Sequence, residues 1–341
     1  MRAIEYTAHG GPEVLALVER PVPEPGAGQV RVRVHVSGVN PTDWKSREGS
    51  RGGGLKEAQV PNQDGAGVID AVGAGVDAAR IGERVWIWEA AWQRPDGTAQ
   101  DYTVVPARQA VALPEGASLD LGASLGIPAL TAHRALTLAS DGPSRLGPGA
   151  LAGRAVLVAG GAGAVGNAAI QLARWAGAQV IATVSGPQKA ALAEAAGAHH
   201  VVNYRDGDAA ARVRALAPDG VNLVVEVAPV ANAQLDLKIL ALGGTVAYYA
   251  VTDAEPLERL NLPALEIMLN NYCWHGLLVY TVSERQKDNA VADVSAAVAA
   301  GALRIGEAAG LPLHRYPLER TADAHRAVHG GAVGKVLIDL V

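Results

Sequence analysis

Phenylalanine is absent from the 341-residue chain, and cysteine occurs once, at Cys273. One thiol can close no internal disulfide and build no thiol cluster for a structural zinc, so a reducing setting, the cytoplasm, is expected. Basic charge is also in short supply: a formal net charge of -5 provides no general positive surface, and nucleic acid is not an expected partner. The longest stretch without charge lies between Arg154 and Arg174. It approaches the length of a membrane span, but its glycines, Asn167 and Gln171 argue for a soluble strand, turn and helix, and no membrane association is expected. The start, Met1-Arg2-Ala3-Ile4-Glu5-Tyr6, alternates like a strand and has no apolar run before a cleavage site, so no secretion signal is read there. The missing phenylalanine has no physical account; the apolar content rests on Ala, Val and Leu.

The most informative segment that is present begins with the apolar strand Val156-Leu157-Val158-Ala159. It runs into Gly160-Gly161-Ala162-Gly163-Ala164-Val165-Gly166, then a helical pattern carrying Ile170, Leu172, Ala173 and Trp175, then a second strand. Glycines allow a tight turn and close approach to a pyrophosphate, and the start of the following helix offers free N–H groups and a positive dipole. Gly161, Gly163 and Gly166 therefore read as a dinucleotide fingerprint in its required context.

In proteins that prefer NAD, an acid about 20 residues beyond the glycines holds the ribose diol. Here the strand Gln179–Val184 ends at Ser185, and no acid occurs from Asn167 through Lys189. A hydroxyl at Ser185 and a cation at Lys189 suit a phosphate better than a diol, which favours NADPH. The alternative is that Ser185 caps the next helix and Lys189 lies on its wet face.

The chain before the fingerprint is punctuated by Gly and Pro and alternates in short segments, clearest at Val30, Val32, Val34 and Val36. With further strands at Ala66–Ala71, Glu83–Trp88 and Gln100–Val105, this predicts a compact, barrel-like β domain. Arg47–Ala58, with Gly49, Gly52, Gly53 and Gly54, reads as a mobile loop. After the first strand-helix-strand unit come helix Gln188–Ala196, strand His200–Asn203, helix Ala209–Leu216, strand Leu223–Val227, helix Ala231–Leu240, strand Thr245–Tyr249 and a strand-like Trp274–Tyr280. Such alternation predicts a doubly wound parallel sheet, and Leu313–Val341 has strand, helix and strand character. The fold class is thus α/β.

Several ordered motifs carry a family resemblance. They are Gly38-Val39-Asn40-Pro41-Thr42-Asp43, Gln63-Asp64-Gly65-Ala66-Gly67-Val68, Gly126-Ile127-Pro128-Ala129-Leu130-Thr131-Ala132, the glycine turn, Gly197-Ala198 through Asn203-Tyr204-Arg205, Tyr316-Pro317-Leu318 and Gly334-Lys335. Nearly end to end, the chain resembles a zinc-independent medium-chain dehydrogenase/reductase of the quinone oxidoreductase or zeta-crystallin branch. The resemblance implies a GroES-like β-rich catalytic domain, residues 1–126 and 305–341, interrupted by a Rossmann NADPH-binding domain, residues 127–304, with the nicotinamide in the cleft between them. Zinc-dependent relatives carry Cys and His ligands where this chain has Asn40-Pro41 and Gln63-Asp64, so no metal site is expected. The resemblance further places Asn40 near the nicotinamide ribose and Thr131 near the ring. Gly160, Gly161, Gly163, Ala164, Val165 and Gly166 fall at the pyrophosphate, and Ser185, Lys189 and Tyr204 around the adenosine 2'-phosphate. Ala228, Pro229, Ala250 and Val279 are placed in the nicotinamide wall.

The implied activity is an NADPH:quinone oxidoreductase of the zinc-independent kind, passing hydride to a quinone or an α,β-unsaturated carbonyl. Candidate donors to the acceptor oxygen are Asn40, Lys45 and Tyr249, with solvent able to supply the proton. Two alternatives stay open: an enoyl-thioester reductase, and a non-catalytic NADPH-binding protein of crystallin or RNA-binding type. The strand from Trp274 could pair across a two-fold axis, and the resemblance implies a homodimer. His325 and His329 have the i, i+4 spacing of metal ligands but no evident third ligand, and a helix C-terminus ahead of Gly330-Gly331 accounts for them. His199-His200 reads as structural, as does the cluster Trp86, Trp88 and Trp92, although its aromatic faces could receive a flat substrate.

Overall fold

The computed structural model describes residues 1–50, 52, 54–251 and 259–341. It forms two compact units, Met1–Ile127 with Pro312–Val341, and Pro128–Leu311. The second unit thus extends past residue 305, the expected point of return. Asn167 Nδ2 donates to Ala309 O at 2.7 Å and Arg304 N to Gln171 Oε1 at 3.0 Å, which binds this segment to the helix after the glycine turn.

The second unit is built on six parallel strands in the order His200–Asn203, Gln179–Val184, Ala155–Ala159, Val221–Glu226, Leu240–Tyr248, Cys273–Gly276. Helices cover both faces, so strands such as Ala155–Ala159 are buried at every position and read as continuous apolar runs. The sequence winds outward one way from Ala155–Ala159 and then the other way from Val221–Glu226. The reversal leaves a crevice beyond the carboxyl ends of these two strands, which carry Gly160 and Val227. The last strand stops at Gly276, short of the expected Tyr280. Val279–Thr281 is instead a 3-10 turn with Val279 and Tyr280 buried, its Tyr280 carbonyl held by Lys287 Nζ at 2.9 Å. The helix Glu284–Ala299 was not foreseen. Its Asp293 accepts from His133 Nε2 at 2.8 Å and Leu146 N at 2.7 Å, and pairs with Arg145.

In the first unit, a seven-stranded sheet runs Leu313–Pro317, Lys335–Asp339, Gln29–Val39, Asp64–Val72, Arg84–Ile87, Ala110–Ala112, with Tyr102–Pro106 also pairing to Gln29–Val39. Val30, Val32, Val34 and Val36 point to the core, as the alternation requires. Val336 lies opposite Val39, so the end of the chain is stitched beside the start of the Asn40 segment. The helix Pro41–Arg47 follows at once, with proline at its first position, where the missing N–H costs nothing. Arg47, expected to open a mobile loop, instead closes this helix and is fully buried. Arg51 and Gly53 of that loop lie outside the described residues. Among the described residues, no helix is long and apolar enough to cross a membrane.

Candidate functional site

In the second unit the glycine turn has the geometry a pyrophosphate needs. Gly160, at φ +67°, makes the reversal itself, one residue earlier than the fingerprint's first glycine. A Cβ on Gly166 would stand 2.4 Å from Gly160 O, so this glycine lets helix Ala164–Trp175 lie directly on the strand. Gly163 caps that helix and is exposed; a Cβ there would meet only Gly160 O, at 3.4 Å. The first helical N–H to find a backbone acceptor is that of Asn167, on Gly163 O. Ala164, Val165 and Gly166 therefore present their N–H groups at the positive end of the helix dipole, a cradle that fits a dinucleotide pyrophosphate.

At the neighbouring strand ends, Tyr204 N donates to Val184 O at 3.1 Å, which brings Tyr204 beside Ser185. The cap of helix Pro187–Ala195 is Gly186, so the Ser185 hydroxyl is not used for capping, and Lys189 follows in the first turn. Tyr204 is 45% exposed.

On the other side of the crevice, Glu226 ends its strand fully buried. Its carboxylate accepts from Ala228 N and from Asn232 Nδ2, fixing the turn that carries Ala228 and Pro229. Tyr249 N donates to Glu226 O at 3.1 Å, which sets Tyr249 and Ala250 beside the same turn. Burial, then the Glu226 charge, pushes the Tyr249 phenol up, so it remains a neutral hydroxyl. Asp236 is buried with neither carboxyl oxygen bonded among the described residues; burial, then repulsion from Glu226, pushes it well above the usual carboxylate range. Thr131 is buried in helix Gly126–Leu136, and Val279 lies in the turn described above.

The first unit contains a polar hub that sequence reading did not find. Asn40 is buried, and its amide is held at both ends: Nδ2 donates to Asp64 Oδ2 at 2.7 Å, and Oδ1 accepts from Lys335 Nζ at 2.7 Å. Lys335 Nζ also lies 3.5 Å from Asp64 Oδ2, and Asp64 Oδ1 accepts from Ile127 N at 2.9 Å. Asp43 accepts from Asn40 N at 2.7 Å and Gln63 N at 3.1 Å. Burial, followed by repulsion from Asp64, lifts Asp43 to about 7. Burial also raises Asp64 and lowers Lys335, each opposed by the attraction between them.

The amide of Gln63 is fixed from the other side, its Oε1 accepting from Ala91 N at 3.1 Å. Asp43 and Gln63 line a cavity of about 180 Å³ with Tyr6, His9, Ser46 and Gln59. Among the described residues, no group of three or more His, Cys, Asp or Glu could hold a metal ion.

The remaining candidates are dispersed. Lys45 Nζ lies 5.3 Å over the Trp44 ring. His325 is buried and bonds Asn62 Oδ1 through Nε2 at 3.0 Å, whereas His329 stacks on Trp44 at 4.1 Å. Burial and the Arg47 charge push His325 down to about 3, so it is neutral. Trp86 and Trp88 are fully buried and serve the core.

Comparison with known proteins accords with both halves. Residues 26–115 match the alcohol dehydrogenase GroES-like domain, and residues 164–299 match the model named zinc-binding dehydrogenase. The quinone oxidoreductase of Mus musculus is 32% identical over 99% of this chain and 97% of its own length. An NAD-dependent alcohol dehydrogenase structure superposes with a TM-score of 0.84 at 28% identity, and a mycobacterial structure complexed with NADPH with 0.81 at 28%, each covering 100% of both chains. These architectures accommodate either nicotinamide cofactor, so the choice between them falls to individual side chains. With its GroES-like and doubly wound units and its full-length similarity, the chain belongs to the quinone oxidoreductase, or zeta-crystallin, branch of the medium-chain dehydrogenase/reductase superfamily.

Proposed function

We propose that the chain is an NADPH-dependent, zinc-independent reductase acting on a quinone or an α,β-unsaturated carbonyl. The observation that carries the cofactor choice is the end of strand Gln179–Val184. Ser185 is free of capping duty, Lys189 follows in the next helical turn, and no carboxylate occurs from Asn167 through Lys189. Ala164, Val165 and Gly166 would hold the pyrophosphate through backbone N–H groups, and Ser185, Lys189 and Tyr204 the 2'-phosphate. Bound there, NADPH supplies a hydride from its nicotinamide C4. Around that ring the chain's own task is shape and exclusion of water, with the Ala228 turn fixed by Glu226. Asn40-Pro41 and Gln63-Asp64, in the regions where zinc-dependent relatives carry a Cys and a His ligand, favour chemistry without a Lewis acid.

The chain is proposed to work as a homodimer. Among the described residues, strand Cys273–Gly276 leaves one edge of the sheet unpaired, and the preceding helix exposes Leu265, Met268 and Leu269 on one face, the pattern of a surface covered by a second copy.

Fluorescence titration with NADPH and NADH, followed by turnover against quinones, enones and enoyl thioesters, tests the reading. Tighter binding of NADPH and its oxidation by quinones or enones is the expected result. Equal binding of NADH overturns the cofactor choice. Oxidation by enoyl thioesters alone gives the site to an enoyl-thioester reductase, and binding without turnover gives it to a non-catalytic protein.

A further inference from the structure

A hydride added to a carbonyl or conjugated acceptor pushes an electron pair onto oxygen, and a fixed hydrogen-bond donor at that oxygen lowers the barrier. Two of the three candidates drawn from sequence, Asn40 and Lys45, are already engaged. Each end of the Asn40 amide is engaged, by Asp64 and by Lys335, and Lys45 lies over Trp44. Gln63 is different. Its backbone N–H is taken by Asp43, its carbonyl by Ala90 N at 3.0 Å, and its side-chain Oε1 by Ala91 N. Those three bonds fix which way the amide faces, because only Oε1 can accept from Ala91. Nε2 is left with two hydrogens and no acceptor among the described residues, on a residue 3% exposed that lines the cavity. A nearly buried donor without an acceptor marks a place for a ligand oxygen.

We propose that Gln63 Nε2 anchors the oxygen of the acceptor in this cavity, and that the cavity selects acceptors of one ring or a short enone. The inference rests on the reductase reading above. The volume of about 180 Å³ is well below the roughly 300–1,000 Å³ of pockets for larger ligands, a size that favours a single six-membered ring or a short enone. During reduction the hydride bonds to the electrophilic carbon and the carbonyl or enone π pair ends on oxygen as an alkoxide or enolate. Solvent then protonates the product, and the cofactor leaves as NADP+. The neutral amide gains strength as that charge grows and, unlike an ammonium, carries no charge of its own to desolvate.

The test uses 1,4-benzoquinone and 2-cyclohexenone with the wild-type enzyme and with Gln63→Met, Gln63→Glu and Gly54→Leu. Gln63→Met is expected to lower kcat/KM about 100-fold, the scale of one oxyanion donor, with NADPH affinity unchanged. Gln63→Glu retains the acceptor for Ala91 N–H but removes the donor. Its activity is expected to recover as pH falls and the introduced carboxyl takes up a proton, a rescue that a purely structural role would not give. Gly54 also lines the cavity, and a Cβ there meets nothing within 4 Å, so Gly54→Leu should keep the fold, fill the cavity and raise KM for both acceptors. If the wild type turns over but both Gln63 variants keep its kcat/KM, or if Gln63→Glu shows no recovery at acid pH, the anchor is overturned while the reductase reading stands. An unmoved KM in Gly54→Leu overturns the cavity assignment. A wild type that reduces no acceptor overturns both readings together.

Discussion

Lys335 Nζ lies 2.7 Å from Asn40 Oδ1 although 295 positions separate them in the chain. The contact is possible because the last strand pairs antiparallel with Gln29–Val39, setting Val336 opposite Val39 just before Asn40. A buried ammonium here faces the buried carboxyl of Asp64 and, with it, grips the Asn40 side-chain amide from both ends. Lys335→Met removes the ammonium paired with Asp64 and leaves that acid uncompensated, a loss of about 3–5 kcal/mol. Asp64→Asn in the same background removes one orphaned charge and should restore part of it. Urea unfolding of the two single variants and the double variant measures the coupling; additive losses would show that the two groups do not interact.

Asp43 and His325 should give opposite pH dependences. His325 is held neutral, its pKa pushed down from 6.5 to about 3. Its contribution is complete above about pH 6.5 and is lost as pH falls toward 3, because the unfolded chain then binds a proton that the native state refuses. Asp43 is raised from 3.8 to about 7. Its contribution is complete below about pH 4 and is lost as pH rises through 7, because the unfolded carboxyl has then given up a proton that the native state keeps. Between about pH 4 and 6.5 the two slopes oppose, each up to about 1.4 kcal/mol per pH unit. Relative to wild type, His325→Gln should therefore gain stability as pH falls across this window, and Asp43→Asn should lose it. Denaturant midpoints at half-unit intervals of pH, compared as differences from wild type, would refute the assignment if the two variants changed in the same direction.

The glycines of the turn divide by function. Gly166→Ala forces a Cβ to 2.4 Å from a backbone carbonyl, so helix and strand must separate, and the loss is expected mainly in stability. Gly163→Ala meets only an ordinary contact at 3.4 Å, in extended backbone that any residue adopts, so the melting temperature should be unmoved. Its methyl group instead stands at the mouth of the N–H cradle, and the NADPH Kd should rise about tenfold or more. Thermal melts beside fluorescence titrations separate the two; a Gly163→Ala protein with wild-type affinity would remove the cradle from the site.

The contrast between this turn and the hub explains what was legible in the sequence. The turn lies within one continuous stretch, where the apolar strand, glycine spacing and helical period can be read together. The bounds of Gln179–Val184, His200–Asn203 and Ala209–Leu216 agree with the structure for the same reason. The hub has no local period: Asn40 meets Asp64 across 24 residues and Lys335 across 295. Gln63 stands out only when each hydrogen bond of its amide is counted. Helix Glu284–Ala299 escaped notice because its buried positions include Ala290, Ala297, Asp293 and Lys287, which give weak contrast with the wet face. Leu277–Tyr280 looked like strand because apolar β-formers continue past Gly276, and only the Lys287 bond to the Tyr280 carbonyl shows that the chain turns inward.

The edge at Cys273–Gly276, unpaired among the described residues, and the exposed Leu265, Met268 and Leu269 lead to a prediction about assembly. Met268→Glu with Leu269→Lys places charges on the exposed face without touching buried positions. Light scattering after gel filtration should then report one chain's mass in place of two. A wild type that runs as a monomer, or a double variant that remains dimeric, would assign this face to something other than a second copy.

Cofactor choice turns on Ser185. Ser185→Asp places a carboxylate at the strand end where it can accept from both hydroxyls of a ribose diol and repel a 2'-phosphate. The position is half-buried and does not cap the helix that follows, so the fold should tolerate the change. NADPH affinity should fall and NADH affinity rise, moving the ratio about 100-fold in favour of NADH, equivalent to about 2.7 kcal/mol. Lys189→Ala should act on one side only, weakening NADPH and leaving NADH unchanged, because the diol offers the ammonium no charge. Direct titration of both cofactors into wild type and the two variants decides the point; a Lys189→Ala protein that loses both cofactors equally would show that the lysine supports the fold or the shared diphosphate instead of reading the 2'-phosphate.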